Sequence, residues 1–151
     1  MMFSERRVIV VDQPISREQL LTLLADSLLA DGLVKDSFLG GVLAREREYP
    51  TGIDMETHAI AIPHTEYEHV NKTGFAVAIN RAGVAFQRTD DPEQQVKPAI
   101  VVLMAIDPTC EKVAIIQSLF ALLADVDAVN KISEYSPAEI AKTFSQAITT
   151  R

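Results

Sequence analysis

Ala59-Ile60-Ala61-Ile62-Pro63-His64-Thr65 is the stretch that decides the fold. Its first four residues are continuously apolar, too few for a helix, and proline closes them. A run of this kind suits a strand buried on both faces, and a sheet covered on both sides needs helices to cover it. Outward from this strand, Arg7-Val8-Ile9-Val10-Val11-Asp12 reads as a β-branched strand, and 75–79, 84–86 and 99–105 as further strands, the last apolar on both faces. Asn80 to Gly83 and Asp90-Asp91-Pro92 supply turn chemistry between them.

Helical signals alternate with these strands. Ser16-Arg17-Glu18-Gln19 has the form of a capping box, followed by Leu20, Leu21, Leu24, Leu28 and Leu29 at helical spacing, with Gly32 as the stop. A second helix is expected over 36–48, weakened by Gly40-Gly41, which can mark close packing against a neighbour, and ended by Pro50-Thr51-Gly52. Asp107-Pro108-Thr109 is expected to open a helix with Val113, Ile116, Leu119, Phe120 and Leu123 as its apolar stripe. Ser136-Pro137-Ala138-Glu139 caps a last helix carrying Ile140, Phe144 and Ile148. With no linker and no repeat, residues 1–151 are expected to form a single α/β domain with a mixed, mostly parallel central sheet flanked by helices.

Composition bounds the function. A chain of 151 residues, 48% hydrophobic and 23% charged, buries roughly two-thirds of its unfolded surface as one core. Its longest apolar runs, such as 99–106, fall far short of the roughly 20 residues a membrane helix needs, and the start Met1-Met2-Phe3-Ser4-Glu5-Arg6-Arg7 has no apolar signal core. A cytoplasmic protein without membrane insertion is the expectation. Cys110 is the only cysteine, which excludes an internal disulfide and suits a small, semi-buried residue. A net charge of −7 disfavours nucleic acid and anionic membranes as partners.

The chemistry concentrates at His64. Sites of α/β sheets lie outside the carboxyl ends of strands, and His64 follows the buried strand at that end. An imidazole there can be a general base, a metal ligand or a nucleophile. His58 shares its strand parity but stands about 20 Å away along a straight strand. His69 lies in the polar loop after Thr65-Glu66-Tyr67-Glu68, which can fold back as one helical turn. His64, Glu66, Glu68 and His69 match neither H-E-x-x-H nor a zinc-ribbon spacing, so no metal and no cofactor are expected. In Arg45-Glu46-Arg47-Glu48, an arginine leading into the same loop system is a candidate oxyanion clamp.

Ala44-Arg45-Glu46 with Pro50-Thr51-Gly52-Ile53 and Ile60-Ala61-Ile62-Pro63-His64, continued by Gly83-Val84-Ala85-Phe86, Ile100-Val101-Val102-Leu103-Met104-Ala105 and Leu122-Leu123-Ala124-Asp125, resembles the fructose-mannitol type enzyme IIA domains of the bacterial sugar phosphotransferase system. Pro50-Thr51-Gly52-Ile53 and the longer spacer up to His58-Ala59-Ile60 look most like the galactitol-specific branch. The resemblance implies an enzyme working through a phosphohistidine: His64 accepts a phosphoryl group from phospho-HPr and passes it to a cysteine of enzyme IIB. It also implies that Arg45 and Thr51 support the site. Many members carry a second active-site histidine in the later helix, where this chain has Lys112. Similar domains serve regulatory phosphotransferase systems, which leaves control of partner binding as the alternative function.

Overall fold

The computed structural model describes residues 2–109 and 111–148, so Cys110 lies outside the described residues. A five-stranded sheet runs through it in the order β1 (Val8–Val11), β4 (Gly74–Asn80), β7 (Ile100–Ala105), β3 (Ala59–Ala61) and β2 (Gly52–Asp54). It is a mixed sheet: β1–β4 and β3–β7 pair in parallel, β4–β7 and β2–β3 antiparallel. A separate two-stranded ribbon joins β5 (Phe86–Gln87) to β6 (Gln95–Val96). Two helices, α1 (Arg17–Ala30) and α2 (Phe38–Glu48), precede β2, and α3 (Lys112–Ala124), α4 (Val126–Ile132) and α5 (Pro137–Ala147) follow β7.

The two central strands, β4 and β7, are buried along their whole length, and alternation along them sorts two cores. Ala76, Ala78, Val101, Leu103 and Ala105 pack with Leu20, Leu21, Leu24 and Leu28 of α1 and with Phe38 and Val42 of α2. Phe75, Val77, Ile79, Ile100, Val102 and Met104 point the other way, into Ile115, Leu119 and Leu123 of α3, Val129 and Ile132 of α4, and Ile140 and Phe144 of α5. Small alanines on the first face let α1 lie close to the sheet; larger side chains fill the second. Both expected caps form: the side chains of Ser16 and Ser136 accept from the backbone of Gln19 and Glu139, which reach back in return.

Four of the strands expected from sequence form where expected, and 84–86 becomes the short β5. Four elements were not anticipated: a 3-10 turn over Glu5–Arg7, β2, which follows directly on Pro50-Thr51, β6, and α4. The opening of α3 is corrected. Helix begins at Lys112, because the Asp107 carboxylate closes a turn by accepting from the backbone and hydroxyl of Thr109 and also holds Thr73. The expected stripe is corrected as well, since Ile115, Leu119 and Leu123 are buried whereas Val113 is 70% exposed. This helix is apolar over most of its circumference, so spacing alone leaves its inward face undetermined. No single helix among the described residues is long and apolar enough to cross a membrane; α3 and α4 reach that length only together and are bent by 86° at their junction.

Candidate functional site

The parallel pairing of β3 with β7 brings their carboxyl ends to one rim of the sheet. Pro63 and His64 extend that pairing past β3: the Met104 N–H donates to the Pro63 carbonyl at 3.0 Å, and His64 bridges to Met104 in parallel register. A cleft of about 290 Å³ opens there, floored by Met104, Ile106 and Ile116, with Arg45 and Lys112 as its cations and Glu66 and Asp107 as its carboxylates. Most of these residues come from segments remote in the chain, namely the end of α2, the loop after β3, the end of β7 and the first turn of α3.

His64 is half-buried in this cleft. Its Nδ1 lies 3.1 Å from the Ile62 carbonyl oxygen, which can only accept, so Nδ1 carries the proton and Nε2 is left with its lone pair. Burial pushes the imidazole below its ordinary value; the Ile62 hydrogen bond and Glu66 pull it up, while Arg45 and Lys112 push it further down. The neutral form is favoured.

Arg45 sits in the last turn of α2, where a cation suits the helix dipole. Its Nη1 donates to Glu66 Oε1 at 3.3 Å, and its guanidinium carbon lies 5.2 Å from the centre of the Tyr49 ring. Its Nε is buried and has no hydrogen-bond partner. Glu66 in turn accepts from the Thr65 hydroxyl at 2.7 Å and is held below the usual carboxylate range, the Thr65 bond being the largest cause.

Thr51 is placed differently from Arg45 and His64. It does not line the cleft. It is buried, and both its N–H and its hydroxyl donate to the Glu46 carboxylate, at 2.9 and 2.7 Å. The other histidines also have separate settings. His58 Nε2 donates to the Leu123 carbonyl at the end of α3, 2.6 Å away. His69 ends a 3-10 turn over Tyr67–His69, and its Nδ1 is 2.7 Å from the Ser37 hydroxyl, with its ring against Gly41. Among the described residues no three His, Cys, Asp or Glu side chains converge as a metal-binding group.

Sequence reasoning did not single out Asp107, Met104, Ile106 and Ile116 as site residues. Their only advance signal was that 99–105 reads as a buried strand, whose end would share the rim with His64 once the two strands were known to be parallel neighbours. Lys112 does line the cleft, opposite in chain order to Arg45 and exposed to solvent.

Known proteins share this architecture. The galactitol-specific EIIA component of the phosphotransferase system from Escherichia coli strain K12 is 29% identical over 134 residues, covering 89% of each chain. Among solved structures, the complex of enzyme IIAMTL and phosphorylated enzyme IIBMTL from Escherichia coli matches with a TM-score of 0.76 at 20% identity, covering 95% of this chain and 96% of that one. The nitrogen regulatory protein IIA-Ntr from Neisseria meningitidis matches with a TM-score of 0.65 at 17% identity, covering 95% and 96%. At these identities the structural likenesses speak for the fold. The family model of the phosphoenolpyruvate-dependent sugar phosphotransferase system, EIIA 2, matches residues 1–147, and the chain belongs to that family.

Proposed function

We propose that this protein is the phosphohistidine carrier of a bacterial sugar or alditol phosphotransferase system, acting in the cytoplasm between phospho-HPr and enzyme IIB. The observation that carries the reading is the Nδ1–H···O=C bond from His64 to Ile62, which leaves Nε2 unprotonated in a cleft between Arg45 and Lys112. Nε2 attacks the phosphorus of the donor phosphohistidine in line; the new N–P bond forms as the donor N–P bond breaks, and the donor imidazole leaves with the electron pair. A cysteine thiolate of enzyme IIB then attacks the same phosphorus, and Nε2 leaves. No proton crosses to or from Nδ1 in either step.

The transferring phosphoryl group carries charge on three equatorial oxygens, and its transition state is stabilised by preorganised donors and cations. Arg45 offers a guanidinium charge now shared with Glu66, and Lys112 an exposed ammonium. Tyr67 lines the cleft as an exposed aromatic side chain, and the exposed Val113 follows Lys112 in the chain, apolar surface suited to a partner that docks and leaves repeatedly. The 29% likeness to a galactitol-specific component supports an alditol such as galactitol as the transported compound and transport over a regulatory role.

Incubation with phosphoenolpyruvate, enzyme I and HPr should yield an acid-labile, base-stable phosphoryl adduct that His64→Gln abolishes with the fold intact. Labelling that survives in His64→Gln and is lost in His58→Gln or His69→Gln would overturn the assignment.

A further inference from the structure

Glu46 is a buried carboxyl that the transfer steps do not use. It is 1% exposed, in the last turn of α2, next to Arg45 in sequence but turned inward, away from the cleft. Both of its oxygens are engaged by one residue five positions later: Oε2 accepts the Thr51 N–H and Oε1 the Thr51 hydroxyl. A buried carboxyl is costly to keep, and burial pushes this one above its ordinary range despite the two bonds. Holding the turn between a helix and an edge strand explains the pairing only in part, because Thr51 is itself tied onward.

The Thr51 carbonyl accepts from the Ile62 N–H at 3.4 Å, extending the β2–β3 ladder one step beyond the Gly52–Ala61 pair. The carbonyl of that same Ile62 is the acceptor of His64 Nδ1–H. A continuous path of hydrogen bonds and peptide units therefore runs from the end of α2, where Arg45 sits, to the group that decides which nitrogen of His64 is free.

We propose that Glu46 and Thr51 are positioning residues for phosphoryl transfer: their clasp sets the Arg45-bearing end of α2 against the Ile62 peptide and so holds His64 with Nε2 unprotonated in the cleft that Arg45 also lines. The inference rests on the phosphocarrier reading for its kinetic consequence, but not for its effect on the His64 tautomer. It also gives Thr51 a role that its distance from the cleft lining does not otherwise supply.

The test pairs imidazole ¹⁵N spectra of the free protein with transfer from phospho-HPr, in Thr51→Val, which keeps volume but removes the hydroxyl donor, in Thr51→Ser, which restores it, and in Glu46→Leu. Wild-type protein should show His64 protonated at Nδ1. Thr51→Val and Glu46→Leu should show a mixture with the Nε2–H form and a transfer rate lower by about 10-fold or more, as expected for small misplacements of a reacting group. Thr51→Ser should return both readouts to within about twofold of wild type. If Thr51→Val or Glu46→Leu melts earlier yet keeps the His64 spectrum and the transfer rate, the clasp is structural only and the proposal is wrong. Thr51→Val decides alone if Glu46→Leu does not fold. Absence of any transfer in wild type would overturn the phosphocarrier reading, while the ¹⁵N spectra would still decide whether the clasp sets the tautomer.

Discussion

At the scale of single residues, the proposed transfer calls for a histidine that stays neutral and an arginine that lines the same cleft. Burial, reinforced by Arg45 and Lys112, lowers the His64 pKa from an ordinary value near 6.5. Titration followed by nuclear magnetic resonance should place its midpoint below those of model peptides, and transfer should persist as pH falls through 6.5, failing only near the lower midpoint. A lowered folded pKa means that the unfolded chain takes the proton first, so the contribution of His64 is fully present above 6.5 and is lost as pH falls through the folded value. His64→Gln should flatten that part of the stability profile. Arg45→Lys keeps the charge and removes the planar fork with its Nε donor; transfer should slow by about 10-fold or more with little change in melting temperature. Unchanged transfer would relegate Arg45 to the helix surface.

Elements position these residues through close approaches that differ between neighbours. Gly40 and Gly41 are adjacent in α2, yet a Cβ at Gly40 meets nothing within 4 Å, whereas one at Gly41 would come within 2.7 Å of Thr65 Oγ1 and 3.2 Å of the His69 ring. Gly40→Ala should therefore stabilise the protein by about 0.5–1 kcal/mol through helix propensity alone. Gly41→Ala should lose that gain to overpacking, at about 1–3 kcal/mol, and should shift the loop that carries Glu66. Denaturant unfolding of the two variants checks the opposite signs, and equal stabilisation by both would show that the loop gives way freely. At sequence level the glycine pair suggested close packing as a unit. Only the rotation of α2 against the loop after β3 shows which of the two makes the contact.

For the molecule as a whole, the proposed carrier role requires one site that is presented to two partners in turn and holds neither for long. Tyr67, 61% exposed, lines the cleft, and Val113, 70% exposed, follows the cleft-lining Lys112 in α3; both bury little in the folded chain. Val113→Asp and Tyr67→Asp should leave stability within about 0.5 kcal/mol of wild type while weakening transfer from HPr and to enzyme IIB. Titration of labelled protein with HPr should shift amides around His64, Tyr67 and Lys112; shifts confined to the opposite face would move the docking surface elsewhere.

The sequence by itself determined the α/β class, both capping boxes, the buried strands at 59–61 and 100–105, and the nomination of His64 and Arg45, because these follow from local periodicity, cap chemistry and the order of residues around Pro63-His64. Tertiary structure alone decided which strands are neighbours and in which direction, and hence that Met104, Ile106 and Asp107 share a rim with His64. It also decided which side of α3 faces inward, since a helix apolar on several faces has more than one way to pack. Thr51 shows the boundary most clearly. Its place beside Glu46, outside the cleft, is set by two hydrogen bonds across a helix-to-strand turn and one across the β2–β3 ladder, and pairings of that kind depend on how separate segments meet in space.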